Sequence, residues 1–165
     1  MHGIRDAVAA DFGSIVGLNL ESEKFLSAMD LSRFQKLLAQ SACCRVVDGS
    51  EGVAAFLLAF RERSAYDSEN YRWFDSRYAS FLYVDRIVVA ASQQGQGLGA
   101  KLYEDLFELA RQQGVPRVTC EFDVDPPNEV SRRFHERFGF REVGTQHVSY
   151  AAKRVSMQEL TLPGS

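Results

Sequence analysis

The chain has 165 residues, a formal net charge of -3 and 45% hydrophobic residues, a size that fits one domain and a core needing no disulfide or metal staple. Its mild acidity excludes a global electrostatic attraction to nucleic acid or to an anionic membrane, and no stretch is apolar for long enough to span a bilayer. Cys43, Cys44 and Cys120 make an odd set without Cys-x-x-Cys spacing, so they read as small buried hydrophobes rather than redox or metal groups. The opening Met1-His2-Gly3-Ile4-Arg5-Asp6 lacks an apolar leader, which makes the cytoplasm the expected location.

In chain order, Ile4-Arg5-Asp6-Ala7 reads as an edge strand, and Asp11 as the cap of a helix running toward Leu20. Asp30 is the expected N-cap of a second helix over Leu31 to Leu38. Arg45-Val46-Val47 and Val53 to Phe60 flank Asp48-Gly49-Ser50-Glu51-Gly52, a hairpin signal. Arg61 to Tyr78 is too aromatic for a linker and too irregular for a strand, so a long surface-covering loop with at most a helical turn is expected. Phe81 to Val89 is the most strongly β-like run. Leu98, Leu102, Leu106, Leu109 and Ala110 then recur at helical spacing until Gly114-Val115-Pro116. Arg117 to Val124 is the next strand, broken by Pro126 and Pro127. Pro127 or Asn128 opens a helix through Phe138, closed by Gly139, and Phe140 to Val143 and Lys153 to Leu160 follow as strands. Strand and helix alternate in the second half, which predicts a mixed sheet with helices on its faces.

The chemistry concentrates where the β-like run meets its helix, at Gln94-Gly95-Gln96-Gly97-Leu98-Gly99-Ala100. Glycine permits positive φ and close approach of a ligand to the backbone. The first amides of a helix lack internal acceptors and sit at the positive end of its dipole. A pyrophosphate is the natural occupant. The Walker loop is excluded, because its Gly-Lys-Ser/Thr ending is absent. The dinucleotide fingerprint is the rival: Gly95-x-Gly97-x-x-Ala100 fits it, with Glu121 or Asp123 as the ribose acid. Against it stand the residues Ala90 to Gln94 between strand and first glycine, and the helical segment and hairpin that come before the unit.

Val89-x-x-x-x-Gln94-Gly95-x-Gly97-Leu98-Gly99 resembles the acetyl-CoA motif of the Gcn5-related N-acetyltransferases, Arg/Gln-x-x-Gly-x-Gly/Ala. Downstream, Asn128-x-x-Ser131-x-x-Phe134-His135-Glu136-Arg137-Phe138-Gly139-Phe140 is similar to that family's last-helix signature, and the order of elements agrees along most of the chain, with Met157 in a closing strand. The resemblance implies a single domain over residues 1–165. Its α/β (α+β mixed) fold would have a central, mostly antiparallel mixed sheet of about six to seven strands flanked by about four helices. It also implies an acetyl-CoA-dependent N-acetyltransferase whose acceptor is a small-molecule or peptide amine attacking directly in a ternary complex. The amides of Gln94, Gly95, Gln96, Gly97, Leu98, Gly99 and Ala100 would hold the coenzyme A pyrophosphate. The strand edge Ile87-Val88-Val89 would pair with the pantetheine arm, an amide near Val89 would polarise the thioester carbonyl, and Asn128 would touch the cofactor. Dimers are common in the resembling family. The alternatives are a non-catalytic acyl-CoA-binding or regulatory domain and, further off, a dinucleotide-binding oxidoreductase.

Two proton handlers are expected, one for the acceptor ammonium and one for the departing thiolate. At the position where the resembling family often carries a tyrosine acid stands His135, whose imidazole titrates near neutral pH. Asp85 is the base candidate, a carboxylate amid apolar neighbours on the strand leading to the turn. Tyr83 shares its face by strand alternation, while Glu21 and Glu121 are weaker options, and a water chain could do the same work. The aromatic Tyr66 to Tyr78 stretch is the candidate for acceptor selectivity. His2 and His147 have no partner spacing for a metal.

Overall fold

The computed structural model describes residues 3–23, 26–149 and 151–163; His2 lies outside them. Among the described residues, seven strands and five α-helices follow one another as β1 (Ile4–Asp6), α1 (Phe12–Glu21), α2 (Leu31–Gln40), β2 (Cys43–Gly49), β3 (Gly52–Arg61), α3 (Glu69–Asp75), β4 (Leu82–Val89), α4 (Leu98–Gln112), β5 (Arg117–Asp125), α5 (Glu129–Phe138), β6 (Arg141–Val148) and β7 (Lys153–Thr161). The strands hydrogen-bond in the order β1-β2-β3-β4-β5-β7-β6. The β1–β2, β2–β3, β5–β7 and β6–β7 pairs are antiparallel. The β4–β5 pair is parallel and consists of Leu82 with Val118 and Tyr83 with Thr119.

Two compact units emerge, one of residues 1–60 and 84–109, the other of residues 61–83 and 110–165. In the first, β3 is buried along Val53–Phe60 without alternation, the pattern of a strand covered on both faces. Ile15 and Leu18 of α1, Phe34 and Leu37 of α2, and Leu102 and Leu106 of α4 are buried in it. Asp30 caps α2 as the sequence predicts, accepting from the Arg33 amide at 2.7 Å. Asp11 stands at the predicted position but does no capping. Its carboxylate instead accepts from Arg5 at 2.7 and 2.9 Å and from the Val8 amide at 2.8 Å. A guanidinium within reach outcompetes a helix amide, because the charge-assisted fork is the stronger bond.

In the second unit, the stretch expected as a loop contains α3. Ser68 caps it through the Tyr71 amide, and Tyr71, Phe74 and Tyr78 fall at i, i+3 and i+7, one face of a helix. Tyr71 and Phe74 are fully buried and pack against Phe81 and Tyr83, with ring centroids 5.6 to 6.4 Å apart. Trp73 lies against the bare backbone of Gly144 on β6. This aromatic helix is one of five among the described residues, which flank the expected mixed sheet. Asn128 caps α5 through the Ser131 amide, and Gly139 closes it with φ +94°, as the sequence predicts. No helix among the described residues is long and apolar enough to cross a membrane.

Candidate functional site

Four residues separate the end of β4 from the glycine turn. Gly95 and Gly97 adopt φ +85° and +76°, the left-handed region where a side chain is strained. A Cβ on either would meet nothing within 4 Å, so the space over both is open. Gln94 through Gly97 are exposed while Leu98 is buried and anchors the helix start. The first helical bond of α4 runs from the Lys101 amide to the Gly97 carbonyl at 3.1 Å. The amides of Gly95, Gly97, Leu98, Gly99 and Ala100 therefore have no protein acceptor among the described residues, while the α4 dipole adds positive potential beside them. Five unpaired donors beside open space at the positive end of a helix suit a pyrophosphate. The cofactor that the motif implies fits the residues present.

Leading into that turn, the Ala90 amide is still tied to the Ala54 carbonyl at 2.8 Å, so β4 holds its place beside β3 up to its end. Ile87, Val88 and Val89 form the last three residues of β4 before the turn. Asn128 spends its side-chain oxygen on the Ser131 amide at 3.2 Å, and its side-chain nitrogen has no hydrogen-bond partner among the described residues.

The candidate proton handlers fall in three settings. Tyr83, 1% exposed, donates its phenol to the Glu121 carboxylate at 2.5 Å to Oε1 and 3.0 Å to Oε2. Strand spacing names Glu121 only as a weaker option. The pairing arises because Tyr83 faces Thr119 across the parallel ladder, which puts its ring end within reach of the next residue on that face of β5. The Tyr71 and Phe74 rings wall Tyr83 at 5.6 and 5.8 Å, so the stretch expected to govern selectivity shapes the surroundings of this pair.

Asp85 is bound by its own neighbour. Its Oδ2 accepts from Arg86 Nε at 2.6 Å, and the two side chains are 6% and 4% exposed. Arg86 goes on to Asn19 and Ser27, a network that no sequence pattern announced.

His135 is 4% exposed, with its ring 5.9, 5.3 and 5.3 Å from those of Phe122, Phe134 and Phe140. Its Nδ1 lies 2.7 Å from the Ser131 carbonyl, which requires the proton to sit on Nδ1. Burial pushes its pKa below the usual imidazole value, opposed in part by that carbonyl. Burial also drives the Cys43 thiol up to about 11 and the Cys44 thiol up to about 12, far from thiolate chemistry at neutral pH.

Residues 15–140 match the Acetyltransferase (GNAT) family. Among curated proteins, a phosphinothricin N-acetyltransferase of Streptomyces coelicolor is 41% identical over 59 residues, 36% of this chain and 33% of that protein. The chain spans about a third of the length of the curated relatives it matches. Among solved structures, Arabidopsis thaliana NAA60 in complex with a bisubstrate analogue superimposes with a TM-score of 0.77 at 16% identity, over 100% of both chains. Salmonella typhimurium yncA, solved with its cofactor acetyl-CoA, gives 0.72 at 18% identity, over 100% of this chain and 96% of that one. These two share the fold, and the glycine turn with its open amides lies inside the matched segment. The chain belongs to the GNAT acetyltransferase family.

Proposed function

We propose that the chain is an N-acetyltransferase that moves the acetyl group of acetyl-CoA to the amine of a small molecule or peptide, acting as one domain in the cytoplasm. The open pair Gly95 and Gly97, with unpaired amides from Gly95 to Ala100, carries this reading. Those amides and the Gln94 to Gln96 backbone would seat the pyrophosphate. The edge of β4 at Ile87, Val88 and Val89 would pair with the pantetheine arm, and the Asn128 side-chain nitrogen would donate to the cofactor. Acetyl-CoA supplies an activated thioester, so the chain needs no nucleophile of its own.

The protein's part is to position the amine and move protons. Glu121, half-buried and held by Tyr83, is the favoured acceptor of the ammonium proton, with the Tyr83 phenol orienting it. Asp85, the strand candidate, already neutralises Arg86. The burial and ring contacts of His135 favour a packing role over that of the acid.

Incubation with acetyl-CoA and a panel of amines, following free thiol, tests the proposal. Thiol release that depends on one class of amine supports transfer. Tight acetyl-CoA binding with no release for any amine would leave the non-catalytic binding domain standing. Binding of a nicotinamide dinucleotide instead would point to the oxidoreductase.

A further inference from the structure

Arg86 is 5% exposed and lies on β4, three residues before Val89. A buried guanidinium must find acceptors for its N–H groups and a counter-charge, and here it finds both. Nε donates to Asp85 Oδ2 at 2.6 Å. Nη1 donates to Asn19 Oδ1 at 2.9 Å and to the Ser27 carbonyl at 3.2 Å, and Nη2 to Ser27 Oγ at 3.1 Å. Asn19, fully buried near the end of α1, donates from its Nδ2 to the same Ser27 carbonyl at 3.2 Å. One side chain of β4 thus clasps the end of α1 and the segment joining α1 to α2. Met29, 3% exposed, and the Asp30 cap finish the descent of that segment into α2.

The location of this clasp gives it a consequence. The end of α1 also borders the approach to the glycine turn, because Leu18, Glu21, Gly52, Ala54, Ala90 and Ser92 line a common cavity of about 170 Å³. A cofactor seated at residues 94–100 with its arm along Ile87–Val89 would bring its acyl end to the part of β4 that carries Arg86. Within the first unit, the Ser27 segment is the element that Arg86 ties to that part of the strand.

We propose that Arg86 is a positioning residue for the acceptor: through Ser27 and Asn19 it fixes residues 26–30, ahead of α2, as a wall of the amine site without touching the cofactor. This rests on the transferase reading above. Asp85 then serves as the counter-charge that keeps the guanidinium in place, which gives a buried carboxylate on this strand a task other than proton transfer.

The test uses Ser27→Ala, which removes one acceptor of Arg86 and leaves the buried ion pair intact, beside Arg86→Lys, which keeps the charge and loses the planar fork. The probe is whichever panel amine supports thiol release by the wild type. Ser27→Ala should raise the amine KM about fivefold, and Arg86→Lys more than about tenfold, with the acetyl-CoA Kd within about twofold in both. Amide hydrogen exchange at residues 26–30 should speed up while exchange in β3 and α4 stays unchanged. An unchanged amine KM, or unchanged exchange at 26–30, overturns the proposal. So does a parallel rise of the amine KM and the acetyl-CoA Kd with faster exchange throughout, the signature of a merely structural role. A wild type that turns over no amine sinks the transferase reading and with it the acceptor role of Arg86, whereas the exchange experiment still reports whether the clasp exists.

Discussion

Tyr83 donates its phenolic hydrogen to Glu121 across 2.5 Å to one carboxylate oxygen and 3.0 Å to the other, joining the start of β4 to the middle of β5 inside one compact unit. If Glu121 takes up the ammonium proton, Glu121→Gln keeps the shape and the partner of Tyr83 but removes the base. The variant should lose about 10²-fold or more in kcat/KM and the acidic limb of the pH–rate profile, with an unchanged melting curve. Steady-state thiol release across pH checks this. Asp85→Asn, by contrast, breaks the buried ion pair with Arg86 and should show first as lost stability, because breaking such a pair costs several kcal/mol.

Gly97→Ala separates a phosphate cradle from a plain connection. The new methyl meets no protein atom, yet the residue sits at φ +76°, where a side chain costs about 1 kcal/mol. The fold should therefore weaken only slightly. The methyl projects into the space proposed for the pyrophosphate, so the acetyl-CoA Kd should rise at least about tenfold, a further loss of about 1.4 kcal/mol in binding. Calorimetric titration beside urea denaturation reads both quantities. A Kd that stays within about twofold would remove the turn from the site.

His135 should govern acid stability more than turnover. Its folded pKa lies below the ordinary imidazole value because burial disfavours the cation. The neutral form is thus preferred in the fold, while the unfolded chain takes up a proton near pH 6.5. That contribution is fully present above about pH 6.5 and declines as pH falls from there through the lower folded value. Denaturation of the wild type and His135→Phe at pH 7.5 and 5.5 should show a smaller acid-linked loss in the variant. The kcat/KM of the variant should stay within about threefold; a collapse of turnover with the fold intact would restore His135 as the acid.

Gly144→Ala tests the seat of α3. A Cβ there would stand 2.5 Å from Trp73 Cζ2 and 2.9 Å from Cη2. The ring has Phe74 on one side at 5.1 Å and the Arg77 guanidinium 3.7 Å above it, so little room is left to give way. The substitution should cost about 1–3 kcal/mol. Trp73 is the only tryptophan of the chain, so its fluorescence reports the displaced ring directly.

Local patterns carried much of this protein. The unbroken apolar run Val53 to Phe60 marks a strand covered on both faces, Asn128 and Gly139 bracket α5 with capping chemistry, and the glycines at the head of α4 mark a turn through positive φ. Each depends on residues within a few positions of one another, where backbone geometry alone dictates the outcome. The aromatic α3 escaped because its buried Tyr71 and Phe74 and the half-buried Trp73 between them blur the helical period.

Which partner a side chain finds is a different matter, since alternation along a strand assigns a face but no neighbour. By itself the sequence determined the glycine turn at the head of α4, the Asp30 and Asn128 caps, most of the strands and the family. Only the tertiary structure gave Tyr83 to Glu121, committed Asp85 to Arg86, sank His135 among aromatic rings and set β7 between β5 and β6. Those outcomes join residues far apart in the chain, and burial, charge pairing and strand register choose among many partners that the sequence leaves equally open.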